Sequence, residues 1–204
     1  MNKDQKLLEE CYQSIYESAR EPLYFGPPDM KEAFMKWLSN LPHEVHEDGS
    51  VSVDGHASIP DDFNKTEMER VPFNFREVRG DFDCCNLGLT SLNGSPRIVT
   101  RSFDCQENKL TSLKGAPEVV GRNFQCRLND LTSLKGAPKE VGNSFYCHYQ
   151  KHKLTSLEGA PEVIKGNFVS DEFTDEDYRK FVKMRKYIEG KLDKDLDADL
   201  TGFE

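Results

Sequence analysis

The chain has 204 residues, 36% hydrophobic and 31% charged, with a net charge of −9. No apolar run approaches the roughly 18–20 residues that span a bilayer, and "MNKDQKLLEECYQ" lacks the basic and apolar regions of a secretory leader, so the reading is cytoplasmic, with the six cysteines reduced. Charge is uneven, −8 over residues 1–77, +3 over 78–169 and −4 over 170–204, and the missing basic stripe argues against a nucleic-acid partner.

Leu7, Cys11, Ile15 and Ala19 recur at i+4, widened by Leu8 and Tyr12, so residues 3–19 predict an amphipathic helix that "REPLYFGPPD" ends. Met30, Phe34, Trp37, Leu38 and Leu41 predict a second helix, from Pro28 or Asp29 to just before Pro42. His43 and His46, beside Glu44, Glu47 and Asp48, form a candidate metal cluster, against which stands a polar linker leading to the first strand. The linker is the preferred reading. In "VSVDGHASI" the apolar residues Val51, Val53, Ala57 and Ile59 all fall at odd positions, as in a degenerate first coil.

From residue 78 the chain repeats itself. A Phe column (Phe82, Phe103, Phe124, Phe145, Phe168) runs beside a Cys column (Cys84, Cys105, Cys126, Cys147) that ends in Ser170, and two Leu columns follow in the words "LTSL". The spacing is 21, 21 and then 23 residues, because "HYQKHK" is two residues longer than its counterparts. Met68, Val71 and Val78 extend the period upstream. A fixed period of this length predicts a solenoid, in which stacked units bury the apolar side that none can bury alone.

Phe-x-Cys-x-x-Asn-x-Leu, at Phe103 to Leu110 and Phe124 to Leu131, has the order of the leucine-rich-repeat pattern. Phe and Cys project to one side of a short strand, and the Asn can bond turn backbone. Gly-Ala-Pro then reverses the chain. The repeated "LTSLxGAPxxVxxxFxC" units resemble those of leucine-rich-repeat-like proteins of tailed bacteriophages, over about residues 51–180. The resemblance implies a phage-encoded interaction protein and carries no catalytic motif across.

Thr174 before Asp175, Glu176 and Asp177 reads as the start of a capping helix over about 174–192, with Tyr178, Phe181, Val182, Met184 and Ile188 on its buried side. The expected organisation is thus a helical segment over 1–48, a leucine-rich-repeat-like β-solenoid of about 21-residue units over 49–172, a C-terminal capping helix over 173–192 and an acidic tail over 193–204.

The Cys column stacks its thiols in a line, which suits packing and not a tetrahedral zinc site. Cys85 faces the other way and is the thiol expected to react. Function is expected on the outer strand face, where packing does not dictate the residues. That face turns from acidic to aromatic and basic along the stack, so the candidate partner-binding residues are Asp104, Gln125, Arg127, Tyr146, His148, Tyr149, Lys151 and His152. No catalytic residue, metal or cofactor is assigned. The leading expectation is a non-enzymatic module that binds and modulates or inhibits a host protein; the alternative is a structural or assembly component of a phage particle.

Overall fold

A computed structural model describes residues 22–60 and 68–200, with side chains up to Lys191. The expected helix over residues 3–19 lies outside the described residues. The second begins as a 3₁₀ turn, Pro28–Met30, and continues as α1, Lys31–Ser39, burying Phe34 and Leu38.

The repeat is built from very short strands. Each unit contributes two, one from its Val position and one from its Phe position, and like strands stack in parallel register. The Val strands, β2 (Val51–Val53), β4 (Phe75–Val78), β6 (Ile98–Val99), β8 (Val119–Val120), β10 (Glu140–Val141) and β12 (Val163–Ile164), form one sheet. Its seventh, antiparallel member is β1 (His43–Val45), within the stretch read as a linker. The Phe strands, β3 (Ala57–Ser58), β5 (Phe82–Asp83), β7 (Phe103–Asp104), β9 (Phe124–Gln125), β11 (Phe145–Tyr146) and β13 (Phe168–Val169), form the second. The result is a β-solenoid of about five turns. Val51, Val53, Ala57 and Ile59 are all buried, so the degenerate first coil belongs to the stack.

Register makes ladders of the columns. Phe82, Phe103, Phe124, Phe145 and Phe168 stack with rings within 9° of parallel and centroids 5.1–5.9 Å apart. The Cys thiols beside them are buried, and each donates to a carbonyl of the next coil: Cys84 to Asp104, Cys105 to Gln125, Cys126 to Tyr146 and Cys147 to Val169. Burial pushes all four thiols up, Cys147 to about 12. Cys85 is half-buried on the opposite side. A thiol reagent applied to the folded protein should therefore modify Cys85 and spare these four, with all reacting after denaturation; peptide mass mapping reads the outcome.

The Asn column interlocks the coils. Asn108 accepts from Leu87 N (3.1 Å) and Leu89 N (2.9 Å) of the preceding coil and donates to Cys84 O, Cys105 O and Gln106 O. Asn129 does likewise, accepting from Leu110 N and donating to Cys105 O, Cys126 O and Arg127 O. In the lengthened unit Gln150 takes this place, accepting from Leu131 N and donating to Cys126 O and Cys147 O. The two extra residues of "HYQKHK" are thus absorbed after Gln150, in the exposed stretch Lys151–Lys153. Leu87, at the same position in an earlier unit, is wholly buried and joins the core.

Both ends of the Phe sheet are closed by side chains from outside the repeat. Along the sheet, carbonyls accept from the preceding coil (Asp83 O from Ile59 N, Asp104 O from Cys84 N), and at the first strand Ser58 O accepts from the Trp37 indole N–H at 2.9 Å. Each Phe N–H donates to the next coil, and at the last strand Phe168 N donates to Asp175 Oδ1 at 2.9 Å. Asp175 opens α2, Asp175–Leu200. Thr174 caps it by accepting from Asp177 N, while Asp177 Oδ2 accepts from Thr174 N and Oγ1. Tyr178 then continues the Phe ladder, 5.1 Å from Phe168 and 10° from parallel, and its hydroxyl donates to Pro161 O. Ser170 stands where Cys was due because the chain leaves the stack there: its hydroxyl accepts from Glu172 N and Phe173 N. α2 passes residue 192, where the sequence reading ended it, since no proline interrupts it and only Gly190 weakens it.

Candidate functional site

The residue before the Asn column takes the left-handed conformation in four successive units, Asn86 (φ 53°), Glu107 (φ 56°), Leu128 (φ 55°) and Tyr149 (φ 56°), before the apolar Leu87 as before Asn108 and Asn129, so it belongs to the turn that each coil makes there. Asn tolerates this conformation; a bulky side chain pays about 1 kcal/mol or more for it. In the last two units the position nonetheless carries Leu and Tyr, 43% and 62% exposed. They wall a shallow depression whose floor and rim include Asn108, Asn129, Lys109, Asp130 and Lys151. Lys151 Nζ lies 3.5 Å from Asp130 Oδ1.

The predicted site residues divide into two groups. Asp104, Gln125 and Tyr146 are successive outward residues of the Phe strands, and Arg127 and His148 lie in the next row. They are not a bare surface. Gln125 Nε2 donates to Asp104 Oδ2 at 2.9 Å, Arg127 Nε donates to Gln106 Oε1, and all five are half-buried. The second group is the corner. The His148 ring stands edge-on to Tyr146 (6.2 Å) and Tyr149 (4.6 Å), and its Nδ1 is buried with no partner among the described residues. Tyr149 N donates to Asp171 Oδ2, which holds the turn. Lys151 rims the depression, whereas His152 stands exposed beyond it. Leu128 is the residue that sequence reasoning missed. The signal was present: read down the fourth position after each Phe, the letters run Asn, Glu, Leu, Tyr.

Asp104 carries the clearest electrostatic signature on the face. Burial, and then the carboxylate of Asp83 one coil away, raise it to about 6, although Gln106 N and Arg127 oppose the shift. A carboxyl whose folded value is raised binds its proton more tightly when folded, so it stabilises the fold below about pH 4 and that contribution is lost as pH rises through about 6. Asp104→Asn should therefore gain about 1 kcal/mol near pH 7.5, the gain being reduced by partial hydration, and nothing near pH 4. Urea unfolding at the two pH values measures it.

His43 and His46 do not converge on a common point: His43 Nδ1 bonds Leu41 O, and His46 Nε2 bonds Ser52 Oγ. Among the described residues no group of three or more His, Cys, Asp or Glu is placed to hold a metal ion, and no helix is long and apolar enough to cross a membrane. The geometry is that of a β-solenoid with one irregular, aromatic corner. No family model matches this chain, and comparison with curated proteins and with solved structures gives no significant similarity.

Proposed function

We propose that the protein is a non-enzymatic binding module of the leucine-rich-repeat-like kind, which holds a protein partner at the corner formed by Leu128, Tyr146, His148, Tyr149 and Lys151. One observation carries the reading: two large apolar side chains are exposed on adjacent coils at left-handed positions, where they weaken the fold and fill no core. Strain kept where packing does not require it points to use. Aromatic anchors beside a shallow depression are the usual centre of a protein interface. The likeness of the "LTSLxGAP" words to phage proteins supports a host protein as the partner, modulated or inhibited by being bound.

Affinity capture from a host lysate tests this. Wild type should recover a defined partner, and the Tyr146, His148 and Tyr149 to Ala variant should lose it. Recovery of no partner, or equal recovery by the variant, sinks the proposal.

A further inference from the structure

The two sheets have four ends between them, and three are met by side chains from outside the repeat. Trp37 and Asp175 engage the ends of the Phe sheet. At the far end of the Val sheet, α2 reaches the carbonyls on either side of β12: the Tyr178 hydroxyl donates to Pro161 O, Arg185 Nη1 to Ala160 O and Arg179 Nη2 to Gly166 O. The fourth end is β1. Pro42 O accepts from Asp54 N and His46 N donates to Ser50 O, so the even-numbered residues of this stretch face β2. His43 and Val45 therefore turn their backbone N–H and C=O groups outward, where no partner meets them among the described residues. His43 and Glu44 are exposed and Val45 is half-buried.

An open strand edge is a template for one more strand, and the charges of β1 select a second copy of itself. Glu44 precedes Val45 and His46 follows it. Two copies paired antiparallel with Val45 opposite Val45 set Glu44 of each against His46 of the other, on one face of the sheet. One step further out the same register sets His43 against Glu47, again unlike groups. A shift by one residue in either direction would set Glu44 against Glu44 or His46 against His46, and like charges directly opposite are destabilising. In the favoured register each Val45 exchanges both of its outward backbone hydrogen bonds with its counterpart across a two-fold axis.

The groups around this edge do not oppose the match. His46 Nε2 bonds Ser52 Oγ of β2, and its Nδ1 lies 3.8 Å from Glu44 of its own strand. The shallow depression that Glu44 and His46 border holds Asp54 and Glu77 beside Arg76 and Arg79, two of each sign, and Asp48 is paired with Arg76. An incoming Glu44 or His46 therefore meets a balanced surface. The contact is short, which places it among weak interfaces, and a two-fold contact closes on itself, so it ends at a dimer.

We infer that two copies of the chain pair antiparallel along the outer edge of β1, with Val45 on the axis and Glu44 of each against His46 of the other. This goes beyond the proposed function and uses a surface away from the corner, so either can fail without the other. Sedimentation equilibrium of the full chain at pH 6, on the charged side of the ordinary imidazole value of about 6.5, should show a monomer–dimer equilibrium with a dissociation constant of about 100 µM. Val45→Pro removes the outward N–H and no hydrogen bond within the fold, and it should leave a monomer. Glu44→Lys and His46→Glu should each weaken association about tenfold. An equimolar mixture of these two variants should associate as wild type does, since each supplies the charge that the other lacks, a result that misfolding cannot mimic. A wild-type chain that stays monomeric at about 500 µM overturns the inference, as does a mixture that associates no better than its components. Association that survives Val45→Pro but is lost in Met184→Asp/Ile188→Asp would place the contact on the exposed apolar side of α2 and equally overturn it.

Discussion

Asn108→Ala is expected to lower the free energy of unfolding by about 3 kcal/mol, read as a fall in the urea midpoint at unchanged slope. The side chain makes five hydrogen bonds to backbone of two coils and is almost wholly buried. Alanine removes all five without removing the groups they satisfied, and each buried group left unpaired costs about 1–3 kcal/mol, partly offset by water reaching the groups nearest the surface. Asn108→Asp sharpens the test. Its carboxylate can still accept from Leu87 N and Leu89 N, but it faces Cys84 O, Cys105 O and Gln106 O with no hydrogen to give. The aspartate variant should thus be as unstable as the alanine one near neutrality and recover as acid protonates it. Asn108→Gln should fall between, since Gln150 fills the same role in the unit with the longer loop.

Gly136→Ala should cost about 3 kcal/mol or more. Gly136 sits at φ +88°, and a Cβ there would stand 2.4 Å from Lys114 N and 2.6 Å from Leu113 C of the preceding coil. Both obstacles are backbone, so relief requires the coils to separate, which the interlocked Asn column resists. The neighbouring bond from Ala137 N to Leu134 O shows why the conformation is needed: it closes a tight turn whose third residue must have positive φ. Gly88 provides the control. It has a similar φ of +70° but open space where a Cβ would go, so Gly88→Ala should show the conformational cost alone, about 1 kcal/mol. Thermal or urea denaturation of the two variants separates crowding from conformation.

The interior was legible because stacking makes position and environment the same for every unit. Once one Phe and one Cys are known to be buried, register buries their counterparts, and the breaks at Leu87 and Ser170 mark places where the backbone partner changes. The second sheet was harder to see. Val99 and Val120 alternate with only one exposed neighbour each, too short a run for a period-two signal to emerge. The candidate site was legible in part. "HYQKHK" drew attention through its length, yet the extra residues go into Lys151–Lys153, while the distinctive geometry belongs to Tyr149 and to Leu128 in a unit of ordinary length. Backbone handedness at a non-glycine residue leaves no mark on composition or periodicity. It belongs to the turn that each unit makes after its Phe strand, before Leu87 as before Asn129, and so becomes visible only in the folded backbone.

The indole of Trp37 and the carboxylate of Asp175 have a meaning for assembly as well as for stability. A stack of parallel strands is a template that could add a further molecule at either end and so grow into a filament. Here the outermost acceptor at Ser58 and the outermost donor at Phe168 are already engaged by groups that no incoming strand can displace without loss. The ends of the six-stranded sheet are thus partly occupied from within the single chain, which disfavours the addition of a further strand at Ser58 and at Phe168.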